Sequence, residues 1–127
     1  MRNIIVITVF LLVLFVPIAE ASAQTDYEKA LISLMFEDIH KTVDEYYGFE
    51  GVQFFDEEIL ELKMTGGLSF DVAVKISTFI GAHNTIGTDT LKFRREVEGL
   101  KLISYNHIPS EHKEEILEWY FNRSVHP

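Results

Sequence analysis

The chain contains no cysteine, which rules out a disulfide framework, a thiol nucleophile and a cysteine-ligated metal together. Proline is scarce, at three residues, and no linker, low-complexity tract or internal repeat divides the sequence. Basic residues are also few: eleven lysines and arginines stand against twenty acidic residues, for a net charge of −9. That balance argues against nucleic acid as a partner, because phosphate binding needs clustered cations, and it disfavours electrostatic docking on an anionic membrane. Cationic partners or divalent ions are compatible with it, and solubility alone accounts for it. No G-x-S-x-G elbow and no D-x-D-x-D-G calcium loop occur.

What is present begins with an apolar run from Ile4 to Val16, preceded by Arg2 and followed by Pro17 and Ala21-Ser22-Ala23. Small residues at the minus three and minus one positions suit signal peptidase, so cleavage is expected after Ala23. The run is short for a membrane span, which needs roughly 20 apolar residues. Residues 1–23 therefore read as a signal peptide and 24–127 as one secreted domain; left uncleaved, the segment would hold the protein at the cell surface. Cleavage removes one charge of each sign, Arg2 and Glu20, so the net charge stays at −9.

In the remainder, apolar residues at Tyr27, Leu31, Leu34, Met35, Ile39, Val43, Tyr46 and Tyr47 recur at three and four, the spacing of an amphipathic helix over Asp26 to Tyr47. Thr25 or Asp26 can cap it, and Gly48 is the natural stop. After a connector to Asp56, Glu58 to Thr65 alternates so that Leu60, Leu62 and Met64 should face the core. Gly66-Gly67 then offers a tight hairpin turn. The longest alternation follows: Leu68, Phe70, Val72, Val74, Ile76, Thr78 and Ile80 share one parity, with Ser69, Asp71, Ala73, Lys75 and Ser77 on the other. This is the central strand, apolar on one face only, and the helix should cover that face. Thr88 to Val97, a turn at Glu98-Gly99 and Leu100 to His107 supply two more strands, and Ser110 is placed to cap a closing helix.

The order predicts an α+β domain: an N-terminal helix on a curved four-stranded antiparallel sheet, with a short C-terminal helix. That shape is similar to cystatin-like or nuclear-transport-factor-like cones. On Tyr46-Tyr47-Gly48, Thr78-Phe79-Ile80-Gly81-Ala82-His83-Asn84, Gly87 and Thr90-Leu91-Lys92-Phe93, the chain resembles a bacterial family of small secreted proteins catalogued only as a domain of unknown function. The likeness covers most of Asp26 to His107. In that family the His-Asn pair is usually followed by prolines, where this chain has Thr85-Ile86. The resemblance implies localisation and architecture, and no chemistry.

Gly81, His83 and Asn84 form the most distinctive spot, a loop at a strand end from which side chains project off a rigid frame. Asp89 is near enough in sequence to orient the His83 imidazole, which would give an enzyme with His83 as general base in a cone-shaped pocket. The plainer alternative is structural, with Asn84 in a left-handed turn and His83 bonded to backbone. Tyr46 and Tyr47, with Tyr27, Phe49, Phe54 and Phe55, are candidates for the mouth of a pocket between helix and sheet. His40 with Asp44, and His107 with Glu111 and His112, lack a recognised metal spacing, so no metal and no cofactor are expected. The expected role is a non-enzymatic module that binds an unknown protein or small ligand through the Gly81 to Gly87 loop, with a homodimer through the sheet face as a further option.

Overall fold

The structure is a computed structural model that describes residues 24–124; the expected signal segment, 1–23, lies outside the described residues. Helix α1 (Asp26–Tyr47) leads into strands β1 (Gln53–Gly66), β2 (Ser69–Ile80), β3 (Asn84–Glu96) and β4 (Gly99–Pro109), and helix α2 (Lys113–Ser124) closes the chain. The strands pair antiparallel in the order β1-β2-β3-β4, an open four-stranded sheet. The α+β architecture is the expected one.

Capping fixes where α1 begins. Thr25 Oγ1 accepts the Glu28 N–H at 3.2 Å while Glu28 accepts the Thr25 N–H at 3.1 Å, so two donors that helix geometry orphans are satisfied reciprocally. At the other end Gly48 adopts φ 77° and returns its N–H to Asp44, a left-handed conformation that glycine enters without strain. Met35, Ile39 and Val43 point down onto Val72, Val74 and Ile76 of β2 and onto Leu91 and Phe93 of β3, and this cluster is the core. The buried stripe differs from the expected one: Ile32 is buried, whereas Tyr27 and Leu34 are 88% and 81% exposed. The helix is rolled toward the middle strands, and nothing among the described residues covers its Tyr27–Leu34 side.

Several other expectations are corrected. The first strand starts at Gln53, inside the expected connector, and Asp56 takes φ 52° where the ladder shifts between Phe55 and Glu58. A second shift, between Ile59 and Glu61, turns Ile59 toward the core and leaves Leu60 unpaired and half exposed. Leu62 and Met64 lie opposite Val72 and Phe70, which puts them on the helix side, yet they are 51% and 58% exposed because no element among the described residues covers that end of the edge strand. Both hairpin turns are displaced by one residue, to Gly67-Leu68 and Val97-Glu98. Gly67 at φ 54° supplies the positive dihedral that the first position of such a turn requires, so Leu68 sits at the tip, outside the strand. Ser110 does not cap α2, which starts at Lys113; its hydroxyl donates to the Thr85 carbonyl at 2.7 Å and ties the β4–α2 junction to β3.

Candidate functional site

The structure gathers five polar side chains from four elements on the helix side of the sheet, at the end where α1 finishes. Asp89 of β3 lies directly opposite His107 of β4, and Leu91 lies opposite Tyr105, so Asp89, Tyr105 and His107 share one face by register. Tyr47, the last residue of α1, reaches down into the same place. Its hydroxyl donates to Asp89 Oδ2 at 2.7 Å and lies 3.1 Å from Thr78 Oγ1 and 3.0 Å from His107 Nδ1. Tyr105 donates to the same Oδ2 at 2.5 Å, and His107 Nδ1 forms a close pair with Asp89 Oδ1. The Thr78 hydroxyl donates to the Gly87 carbonyl at 3.3 Å.

Gly87 makes the arrangement possible. It shares the parity of Asp89 and lies diagonally across from His107, and a Cβ there would overlap the His107 ring and come within 2.8 Å of the Ile108 carbonyl oxygen. The imidazole therefore lies flat over a bare stretch of backbone. The Tyr46 ring stacks on Tyr105 at 3.9 Å and 4° and shields the cluster from solvent, which leaves Tyr46 itself 46% exposed.

The Asp89 and His107 side chains are 0% and 7% exposed. Burial raises the Tyr47 phenol well above its ordinary value, and the hydrogen bond to Asp89 and that carboxylate's charge add to the rise. Tyr105 is raised for the same reasons in the same order. His107 Nε2 is buried without a hydrogen-bond partner among the described residues. The His-Asp pair has the form of a catalytic dyad, but no serine or threonine hydroxyl meets Nε2, and both Asp89 oxygens are already engaged within the protein. Chemically the cluster is a polar lock that joins α1 to β2, β3 and β4.

The residues singled out in the sequence are divided between two places. Asp89, Tyr46 and Tyr47 belong to the lock. Gly81 and His83 belong to the three-residue β2–β3 loop, where they take φ 59° and 62°, and Asn84 opens β3, its Nδ2 donating to the Ile80 carbonyl at 3.3 Å. The non-glycine left-handed residue is thus His83 and not Asn84, which pairs with Ile80 in the ladder. The exposed His83 ring stacks on Phe79 at 4.8 Å and meets Phe55 edge-on at 6.3 Å. Asp89 orients His107, not His83. Of the two groups weighed as metal ligands, His40 and Asp44 are a simple helix pair at 3.2 Å, and no group of three His, Cys, Asp or Glu able to hold a metal occurs among the described residues. Tyr105 and Thr78 were not singled out in the sequence as site residues, and His107 was grouped there with Glu111 and His112. A signal for Asp89 was there: it alternates in phase with Leu91 and Phe93, which places a carboxylate on the buried face.

At the opposite end, around the two hairpin tips, the surface is apolar. Leu68 and Val97 are 90% and 98% exposed on adjacent tips, and the half-covered Met64 and Leu62 and the largely exposed Leu34 add to them. A groove of about 250 Å³ separates Leu31 and Leu34 of α1 from Phe70, Arg95 and Leu100 of the sheet. No described helix is long and apolar enough to cross a membrane.

One protein-family model, described as Protein of unknown function (DUF3888), matches residues 27–109, from the first turn of α1 to the end of β4. No curated protein and no solved structure matches the chain.

Proposed function

The chain belongs to the DUF3888 family, and we propose that it is a secreted, non-enzymatic interaction module that docks a protein partner through the hairpin end of its sheet. The observation that carries this reading is the uncovered apolar surface there. Leu68 and Val97, at the two turns, are the most exposed large hydrophobic side chains among the described residues, and exposed apolar surface of this kind is typical of contact sites. The buried lock supports the reading from the other side, because its carboxylate and phenols are bonded to one another and not presented to a substrate. Secretion rests on the Ile4 to Val16 run and the Ala21-Ser22-Ala23 site.

The test is affinity capture from the producing cell with the wild-type protein and with the L68S/V97S variant. The reading predicts a discrete partner retained by the first and lost by the second at equal folded content; retention by both would contradict it. The Gly81–Asn84 loop is the competing docking point, favoured by the exposed His83 ring, and H83A losing the partner in place of the tip variant would select it.

A further inference from the structure

The outer face of the sheet, opposite α1, carries charge of the opposite sign to the rest of the protein. Register places Lys63, Asp71, Arg94 and Lys101 side by side in one row across all four strands. The next row holds Glu61, Ala73, Lys92 and Ser104, and the one after it Glu58, Lys75, Thr90 and Asn106. Glu96 continues the Lys92–Arg94 side of β3, so five of the eleven lysines and arginines share this face with four of the twenty acidic residues. The face is net positive by one while the whole chain is at −9.

Its charges are also ordered. Arg94 donates through Nε and Nη2 to both oxygens of Asp71, at 2.9 and 3.1 Å, a bidentate geometry that holds the guanidinium flat and leaves Nη1 out of either bond. Those bonds hold the Asp71 carboxyl below its ordinary range, and Lys92 and Lys63 lower it further, which marks this row as a region of positive potential. Lys75 and Lys101 are paired with Glu58 and Glu96, at 2.5 and 2.8 Å, whereas Lys63 and Lys92 form no ion pair among the described residues. Ala73 lies opposite Lys92 and diagonal to Lys63 in the ladder.

We propose that this face receives an acidic segment of the protein partner, with its carboxylates set against Lys63, Lys92 and Arg94. The inference rests on the interaction-module reading and names its partner's chemistry. Local complementarity of sign favours a carboxylate-bearing segment over the same face of a second copy, which would set Lys63 and Lys92 against lysines. It favours a protein over a phosphate polymer too, because four carboxylates interspersed with the cations oppose a uniform line of negative charge. The row lies two residues from the hairpin tips, so one partner can cover the apolar and the charged surface together.

The probe is a synthetic peptide of alternating glutamate and alanine, titrated into the 15N-labelled protein, with the glutamine-alanine peptide and inorganic polyphosphate as controls. The acidic peptide is expected to shift the amides of Lys63, Ala73, Lys92 and Arg94, with affinity about tenfold lower in K63E/K92E and intermediate in K63Q/K92Q. Because L68S/V97S leaves these charges in place, it should bind the probe as the wild type does. Shifts confined to α1 or to the tips, equal binding of the glutamine peptide, or tighter binding of polyphosphate would overturn the assignment, as would a dimer buried on this face in the absence of any probe. Loss of the natural partner in L68S/V97S with no probe binding would defeat this inference alone. Probe binding with the natural partner retained by L68S/V97S would defeat the docking reading alone.

Discussion

The two ends of the sheet solve opposite problems with the same kinds of strand. At the loop end, a carboxylate, an imidazole, two phenols and a threonine are taken out of water and bonded to one another, with Tyr46 stacked over them. At the hairpin end, leucine, methionine and valine are left in water with nothing among the described residues over them. Buried polar groups are costly unless hydrogen-bonded, and exposed apolar groups are stable only because the rest of the core compensates. The difference teaches which end holds the fold together and which leaves apolar surface uncovered.

The sharpest way to break this contrast is to remove the acceptor at the centre of the lock. Asp89→Ala strands two phenols and an imidazole in a buried site, and should cost about 3–5 kcal/mol, enough to lower the thermal midpoint by about 15 °C or more. A shift of a few degrees in calorimetry would show that the lock is not structural. Gly87→Ala comes next. Its methyl group would drive His107 off the backbone at a cost of about 1–3 kcal/mol, measured by urea unfolding. Removing a single hydroxyl, as in Tyr105→Phe, should cost about 1–2 kcal/mol.

The lock also predicts a direction with pH. Both phenols are held above the ordinary value of 10.0, so the unfolded chain gives up protons that the folded chain keeps. Their stabilising contribution is complete below about pH 10 and is lost as the pH rises beyond it. Urea midpoints measured from pH 8 to 11 should fall above pH 10 in the wild type and fall less in Y47F/Y105F; parallel curves would contradict the assignment. The smallest effect belongs to the other end, where L68S and V97S should each change stability by no more than about 0.5 kcal/mol, because neither side chain leaves water on folding.

Much of the frame was legible because it follows from periodicity. The parity of Val72, Val74 and Ile76 fixes which face of β2 meets α1, and Thr25, one of two cap candidates, and Gly48 mark the ends of the helix. The hairpin tips slipped by one residue because adjacent glycines, or a glycine beside Glu98, fit a turn in either register. Leu60, Leu62 and Met64 misled because their alternation is real while no element among the described residues covers them, and the bulge after Ile59 has no signature in residue types. His107 joined Asp89, not Glu111 and His112, for a reason that lies in strand register, which residue spacing alone does not specify.

The most direct test places a photoreactive side chain at Val97 in one protein and at His83 in another, irradiates each in the producing cell, and compares the adducts. The account predicts a discrete adduct of higher mass from position 97 and none from position 83. An adduct from position 83 alone would move the docking surface to the β2–β3 loop and contradict the division of labour between the two ends.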